Sequence, residues 1–271
     1  MNDFEKLTKK DTWNRIWNKY IEKYVHSNPK HGKIVEKIAK KYNINFSSCL
    51  ETGCGSARDS RYLSEKCKAY CLDLSSEPLK VAYKISKELN TDENYFLMQG
   101  DVFNLPFKDK SIDVSFNSGL LVYFSANEDI YRILAEQSRV TKRLMIIFVH
   151  NKFDLIMSIL FKYLYHIKGE DLYNIRRFWY ENTFLFSCSW VFPLGVMEVS
   201  FKEIEDICER FGKVLEVGAC EYTVPIVINK FKKVFFTGEL NLEGIHSKID
   251  KRKFLKNLFF PTEIYAAVDL R

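Results

Sequence analysis

Three acidic residues stand directly after or within short apolar stretches, where strands of a sheet are expected to end. Glu51 precedes the glycine loop Gly53-Cys54-Gly55, Asp73 follows the apolar stretch AYCL, and Asp101 follows YFLMQG. In a parallel α/β sheet, the carboxyl ends of the strands meet at one edge, in the crevice where ligands bind. Carboxylates there accept hydrogen bonds and balance positive charge. The spacing therefore predicts a ligand that carries several donors and a cation.

The glycine loop lies where the predicted strand SSCLET gives way to a helix beginning near Arg58. Glycines at such a junction let the backbone approach a ligand closely. The loop is not a P-loop, because no Gly-Lys-Ser/Thr follows it. Taken alone, Gly-x-Gly fits a dinucleotide, another cofactor or a tight turn.

The three acidic residues narrow the choice of ligand for this loop. Asp73 suits the hydroxyls of a ribose, which a nicotinamide dinucleotide would share; the alternative is that it caps the next helix. A bound pyrophosphate would make no favourable contact with the Glu51 carboxylate. A cofactor with an ammonium group and a carboxylate would place the ammonium group near Glu51 and the carboxylate near the loop amides. Asp101 suits the exocyclic amine of an adenine. Ribose, adenine amine and amino acid together describe S-adenosylmethionine.

The elements that position these residues alternate between strand and helix. Predicted strands cover 47–52, 69–74, 95–101, 112–118, 144–150 and 214–220, with a last strand beginning after Pro261. Predicted helices cover 58–66, 77–89, 127–141 and 200–211, and two more lie within 11–42. This alternation predicts an α/β fold with a doubly wound, parallel sheet and right-handed crossovers.

At the level of motifs, the sequence resembles the class I S-adenosylmethionine-dependent methyltransferases of the small-molecule type, close to the type 11 and type 25 families. The motifs are LETGCGSAR (50–58), LDLS (72–75), GDVFNLPFKDKSIDVSFNS (100–118) and FVHNKF (148–153). The resemblance is strong over 45–155 and architectural over 200–271. It implies a Rossmann-like sheet of seven strands, mostly parallel with an antiparallel last strand, and helices on both faces.

The resemblance also implies a role for each matching position. The cofactor-binding residues would be Glu51, Gly53, Cys54, Gly55, Asp73, Leu74, Asp101, Val102, Asn117 and Ser118. The loop would surround the methionine moiety, which Asn117 and Ser118 would face through side chains and carbonyls. Leu74 and Val102 would pack on the adenine. Ala57 replaces a usual third glycine, and its small size is expected to preserve binding.

Two further departures point toward the methyl acceptor. Tyr123 stands where the family often has a histidine, and His150 stands where it often has a proline. His150 is the first candidate for a general base because imidazole titrates near neutral pH, and Tyr123 is the second. The alternative is that both have structural roles. Both, together with Trp179, are predicted to contact the acceptor.

One methyltransferase domain over 1–271 is predicted, with an N-terminal helical segment (1–45) and two insertions (151–199 and 222–260). The aromatic-rich insertion 151–199 is expected to cap the substrate, which favours an apolar or aromatic small-molecule acceptor. Its apolar stripe leaves open a weak contact with a membrane surface and a lipid acceptor. In the N-terminal segment, Trp17 or Tyr20 either packs on the sheet or covers the cofactor.

Net charge, apolar runs and cysteine spacing limit which other classes of protein fit the sequence. The net charge of +6 is mild, the N-terminus lacks a signal-peptide region, and no apolar run suggests a membrane span, so a cytoplasmic protein without a strong nucleic-acid signal is expected. The seven cysteines contain no C-x-x-C pair, which predicts free thiols and no metal. Oligomeric state stays open. The alternatives are an RNA, protein or lipid methyltransferase, a nicotinamide-dinucleotide oxidoreductase, and a binding protein that lost catalysis.

Overall fold

A computed structural model describes residues 13–14, 17, 28–90, 93–124, 126–151, 198–222 and 261–271. The helices are α1 (Lys30–Lys41), α2 (Arg58–Ser64), α3 (Ser76–Glu88), α4 (Asn127–Val140) and α5 (Phe201–Cys208). The strands are β1 (Ser48–Thr52), β2 (Lys68–Asp73), β3 (Tyr95–Gln99), β4 (Ile112–Ser118), β5 (Thr141–Asn151), β6 (Glu198–Val199), β7 (Lys213–Tyr222) and β8 (Pro261–Asp269).

The strands form a single mixed sheet in the order β3-β2-β1-β4-β5-β8-β7, with the short β6 beside the end of β5. Strands β1 to β5 pair in parallel, whereas β8 runs antiparallel to both β5 and β7. The predicted Rossmann-like fold with an antiparallel last strand is therefore confirmed. The sequence did not predict β6, because two residues are too few to show a periodic pattern.

Helices cover both faces of the sheet. One buried cluster joins the sheet to α1, α2 and α3 through residues such as Val35, Leu63 and Leu79. A second cluster joins the opposite face to α4 and α5 through residues such as Ile133 and Ile204. Successive side chains of a strand point to opposite faces, so central strands such as β1, β4 and β5 contribute to both clusters.

The middle strands show why these residues form a central sheet. Leu144 to Val149 of β5 are all buried, which is typical of a parallel strand covered on both faces. In β4, Val114 and Phe116 pack toward α1 and α2. Ser115 and Asn117 instead form hydrogen bonds with Gln137 of α4. This alternation decides which side chains at the strand ends share a face.

Most element boundaries agree with the sequence-based prediction. The strand predicted over 95–101 ends at Gln99, so Asp101 lies in the turn that follows. The two predicted insertions fall almost wholly on 152–197 and 223–260, outside the described residues, as do Trp179 and Tyr20. Among the helices of the described ranges, none combines the length and apolar character needed to cross a membrane.

Candidate active site

The strand order places the site at one edge of the sheet. Strand β1 lies between β2 and β4, and the chain leaves β1 toward one side of the sheet and β4 toward the other. Such a reversal opens a crevice outside the carboxyl ends of the strands. Thr52, Asp73 and Ser118, the last residues of β1, β2 and β4, lie along this crevice.

The glycine loop is a run of left-handed backbone conformations. Gly53, Gly55 and Ala57 have φ angles of 66°, 53° and 48°. Glycine adopts this region freely, whereas an L-residue such as alanine pays on the order of 1–2 kcal/mol there. Ala57 is fully buried at the start of α2, so its methyl group is accommodated, but at a conformational cost that a third glycine would avoid.

Close neighbours on both sides exclude larger residues from the loop. A Cβ atom at Gly53 would collide with Leu120, and one at Gly55 would collide with the indole ring of Trp17. Between them, Cys54 is buried and its N–H donates to the carbonyl of Leu72 in β2. The glycines are therefore required both by their φ angles and by the side chains packed over them.

Glu51 lies beneath the loop and accepts hydrogen bonds at the start of α2. Its Oε2 accepts from the N–H of Ser60 at 3.1 Å and from the hydroxyl of Ser60 at 2.6 Å. Ala57, which precedes the helix, has no side-chain acceptor, so Glu51 satisfies a helix N–H that would otherwise lack a partner. Burial, assisted by the charge of Asp59, raises the pKa of Glu51 to about 8.

Asp73 connects the loop to the turn before α3. Its Oδ2 accepts from the N–H of Gly55 at 2.7 Å, and its Oδ1 accepts from the N–H of Ser75 at 2.8 Å. The residue is only 8% exposed, and burial raises its pKa against the effect of these hydrogen bonds. Asp73 thus does more than start the next helix, because it also fixes the conformation of the glycine loop.

The ends of β2 and β3 form the other wall of the crevice. Asp101 is exposed, and its Oδ1 accepts from the N–H of Phe103 at 3.0 Å, while its Oδ2 accepts no hydrogen bond within the described part of the chain. Val102 is buried. Gln99 donates to the carbonyl of Leu74 at 2.9 Å, which ties the two strand ends together.

Asn117 and Ser118 separate at the end of β4. Asn117 is fully buried, and its amide donates to Oε1 of Gln137 at 2.8 Å, on the α4 side of the sheet. Ser118 points to the opposite face because side chains alternate along a strand. The side chain of Asn117 therefore does not face the crevice beside Ser118, and only its carbonyl remains for the expected contact with the methionine moiety.

Three N-terminal residues lie over the crevice. The rings of Trp13 and Tyr123 meet edge to face at 4.6 Å. Asn14 accepts from the hydroxyl of Ser75 at 2.6 Å, and Trp17 packs on Gly55. Of the two interpretations that the sequence left open for Trp17, the structure shows contact with the glycine loop.

The two candidate bases lie at the same edge. His150 is half-buried near the end of β5, and its Cα pairs with that of Glu263 in β8. Tyr123 is half-buried at the end of a short 3-10 turn, Leu121–Tyr123, which follows β4.

A buried chain of charges beside this edge was missed by the sequence analysis. Nε2 of His31 lies 2.9 Å from Glu263, Nδ1 lies 3.3 Å from Asp59, and the hydroxyl of Ser118 lies 3.1 Å from Nδ1. Burial opposes charge on His31, but Glu263 and Asp59 raise its pKa to about 9. No local spacing could reveal this cluster, because His31 and Glu263 are separated by 232 positions.

Comparison with known proteins identifies the central part of the chain. Residues 50–149 match a protein-family profile described as a methyltransferase domain. That range contains the glycine loop, Asp73, Asp101 and the end of β4. The chain contains a class I S-adenosylmethionine-dependent methyltransferase domain. A search of curated protein sequences finds no match for this methyltransferase.

Solved structures share the fold of the methyltransferase. Magnesium protoporphyrin IX methyltransferase from Synechocystis PCC 6803, solved with bound SAH, matches at 13% identity over 96% of this chain and 97% of its own, with a TM-score of 0.59. Geranyl diphosphate C-methyltransferase from Streptomyces coelicolor A3(2) matches at 13% identity over 89% and 77%, with a TM-score of 0.51. A cyclase, SpnF, matches at 13% identity over 88% and 80%, with a TM-score of 0.52.

The crevice of the methyltransferase fits S-adenosylmethionine. Its loop carries no side chain at Gly53 and Gly55, and carboxylates lie at the end of β2 and after β3, on one side of the loop. Oδ2 of Asp101 accepts no hydrogen bond from the described residues, so it is open to a donor on a ligand. These features match a cofactor with an amino acid end and a nucleoside end.

Glu51→Gln is expected to change how the free energy of unfolding depends on pH. The pKa of Glu51 is raised from 4.5 to about 8, so between these values the folded protein keeps a proton that the unfolded chain loses, and wild-type stability falls as pH rises. Glutamine has no proton to lose. Between roughly pH 5 and pH 8, the free energy of unfolding of the variant should rise relative to that of the wild type by at least about 1 kcal/mol. One pKa unit corresponds to ~1.4 kcal/mol.

Denaturant unfolding at the two pH values measures this difference. Glu88→Gln, an exposed change on α3, is the matched control and should follow the wild type at both. The same pH dependence in Glu51→Gln and in wild type would contradict the buried, protonated state of Glu51.

Proposed function

We propose that the methyltransferase transfers the methyl group of S-adenosylmethionine by in-line displacement to a small-molecule acceptor with an apolar or aromatic body. When bound, the cofactor supplies a methyl group already activated on a sulfonium. The observation that supports this acceptor class is the aromatic wall formed by Trp13, Trp17 and Tyr123 over the carboxyl end of β1 and the turn after β4.

The composition of this wall suits an apolar ligand. Small-molecule sites are mostly lined by apolar and aromatic side chains, with a few polar groups that fix orientation. Tyr123 and Trp13 present rings, and Leu120 covers Gly53. Among the polar groups at this edge are Ser118 and His150, which would orient the reactive atom of the acceptor.

Two of the neighbouring structures have names that suit the same acceptor class. They are named for magnesium protoporphyrin IX and for geranyl diphosphate, and each name denotes a molecule with a large apolar part. At 13% identity these matches show a common fold. An acceptor of related character is our inference for this chain.

The acids of the crevice would hold the cofactor from both ends. We assign Asp73 to the ribose hydroxyls and the exposed Asp101 to the adenine amine, with Leu74 and Val102 against the ring. Glu51, which is protonated without the cofactor, would release that proton and balance the ammonium group from below the loop. A carboxylate that accepts from a neutral donor gives a charge-assisted bond, which is stronger than a neutral one.

Positioning would supply most of the rate enhancement. Correct orientation of two reactants is worth about 7–11 kcal/mol in favourable cases. A general base adds roughly 10²–10⁴-fold where the acceptor must lose a proton. We assign this role to His150 first and to Tyr123 second.

The other functions are distinguished by their acceptors. An RNA or protein methyltransferase would label a macromolecule, and a lipid methyltransferase would label vesicles or extracted lipid. The cyclase SpnF shows that this fold also appears in a protein named for different chemistry.

Incubation with radiolabelled S-adenosylmethionine and acceptor pools of each class, followed by counting of each fraction, tests the proposal. Label in an apolar small-molecule fraction supports it, and label confined to macromolecules refutes it.

Asp73→Asn is expected to weaken cofactor binding by about 10- to 100-fold. The substitution removes charge-assisted hydrogen bonds to a ribose, which are worth about 1.5–3 kcal/mol. Titration calorimetry with S-adenosylmethionine measures the change. Asp113→Asn is the matched control, since Asp113 accepts from Ser47 at the opposite end of the sheet and should leave affinity unchanged. Full affinity in a folded Asp73→Asn variant would exclude the ribose assignment.

His150→Ala should lower turnover by roughly 10²- to 10⁴-fold while cofactor affinity stays constant, because a base acts on the acceptor proton. Turnover is measured with the acceptor found in the labelling experiment. Tyr123→Phe, which removes a hydroxyl and keeps the ring, tests the second candidate in the same assay. Wild-type turnover in His150→Ala would remove His150 from this role.

A further inference from the structure

Three residues with metal-binding side chains converge beside the active site, from distant parts of the chain. His31 comes from α1, Cys220 from β7 and Glu263 from β8, and their ligand atoms all lie within 4.8 Å of one another. We infer that Nε2 of His31, Sγ of Cys220 and a carboxylate oxygen of Glu263 bind a divalent transition-metal ion of the zinc type. This site is independent of the acceptor class proposed above.

The donor set suits such an ion. Zinc is bound in proteins by imidazole nitrogen, thiolate sulfur and carboxylate oxygen, all three of which are present here. Glu263 is the centre of the group, with its Oε2 2.9 Å from Nε2 of His31 and 3.1 Å from Sγ of Cys220. Three protein ligands leave a fourth position for a non-protein ligand, as is typical of catalytic zinc sites.

Asp59 gives His31 the outer partner expected of a metal ligand. A histidine that binds a metal through one nitrogen almost always donates from the other to a carboxylate, carbonyl or water. Oδ2 of Asp59 lies 3.3 Å from Nδ1 of His31, and Asp59 is itself held by the N–H of Gly32 at 2.9 Å and by Arg58 at 3.1 Å. The imidazole is therefore fixed with Nε2 directed at Glu263.

A β-bulge aims Cys220 at the same point. In the β7–β8 ladder, Ala219 pairs with Ile264 and Glu221 pairs with Glu263, so Cys220 is the extra residue of an irregularity opposite Glu263. Bulges redirect side chains and are common next to functional sites. At this irregularity Sγ of Cys220 reaches the Glu263 carboxylate at 3.1 Å.

The charges of the site balance with a metal as well as without one. Without a metal, an imidazolium at His31 and a neutral thiol at Cys220 face the Glu263 carboxylate, and the three ligands sum to zero. A divalent ion that displaces one proton from His31 and one from Cys220 leaves the same sum. Lys30, 2.9 Å from Glu263, keeps its ion pair in both states. Because imidazole and thiol bind a metal in their deprotonated forms, ion binding should release protons.

The proposed metal site lies next to the edge of the sheet where methyl transfer is proposed to occur. Ser118 at the end of β4 contacts His31. Burial opposes charge on the Glu263 carboxyl, but Lys30, His31 and, to a smaller extent, His150 hold its pKa well below the usual range. The fourth position of the ion would lie among these elements. The proposed site differs from the expectation of no metal, which rested on cysteine spacing, because these ligands are far apart in sequence and only one is a cysteine.

Metal titration of the full chain tests the site. The chelator-treated protein is titrated with Co²⁺, which reports a thiolate ligand through a near-ultraviolet charge-transfer band, and Zn²⁺ is then added in competition. We expect one ion per chain, displacement of Co²⁺ by Zn²⁺, and release of protons, measured by calorimetry in buffers of different ionisation enthalpy. Binding should weaken as pH falls, because protons compete for His31 and Cys220.

Variants identify the ligands. Cys220→Ser should abolish the charge-transfer band, and Asp59→Asn should keep the band but weaken affinity by about 10- to 100-fold. Cys208→Ser, which changes a buried cysteine of α5, is the matched control and should retain both.

The wild-type titration decides the question even if a variant fails to fold. If the folded wild type does not bind the metal stoichiometrically, the proposed site is wrong. His31 would then serve to link the Asp59 and Glu263 carboxylates through its ring protons. A band that persists unchanged in Cys220→Ser would overturn the assignment of Cys220. Neither result would affect the proposed methyl transfer, which is measured separately with S-adenosylmethionine.

Discussion

Carboxylates that accept hydrogen bonds from backbone N–H groups hold the functional edge of this sheet together. Glu51 accepts from Ser60 at the start of α2, Asp73 accepts from Gly55 and Ser75, and Asp101 accepts from Phe103. Each bond fixes a turn that has no regular ladder of its own. The carboxyl groups expected to bind the cofactor thus also shape the loop around it, so binding and local folding share the same atoms.

Much of this arrangement could be predicted from the sequence, because it depends on local patterns. The alternation of apolar strands and amphipathic helices predicted the sheet, and the residues after each strand predicted the crevice. The orientation of the Asn117 side chain was harder to predict from the sequence. It depends on Gln137, a buried partner in α4 that no sequence spacing identifies. The same limit applies to Ala57, whose left-handed conformation, in addition to its size, explains why glycine is usual there.

The group around His31 shows the opposite case, in which sequence patterns carry no information. Its members come from α1, α2, β7 and β8 and meet only when the sheet is complete. Burial raises the cost of each charge, so the group is stable only because opposite charges alternate through it, from Asp59 to His31 to Glu263 and Lys30. A dense, balanced set of ionisable side chains beside a reaction site is a frequent mark of function.

The position of β8 has a consequence for the order in which the protein assembles. During synthesis β7 is made before β8, yet among the described strands β7 pairs with β8 alone, and β8 also completes β5. The nascent chain can therefore form the five parallel strands and the cofactor crevice early, while β7 waits with both edges unpaired. Because Glu263 lies in β8, the group around His31 can close only after β8 has been made.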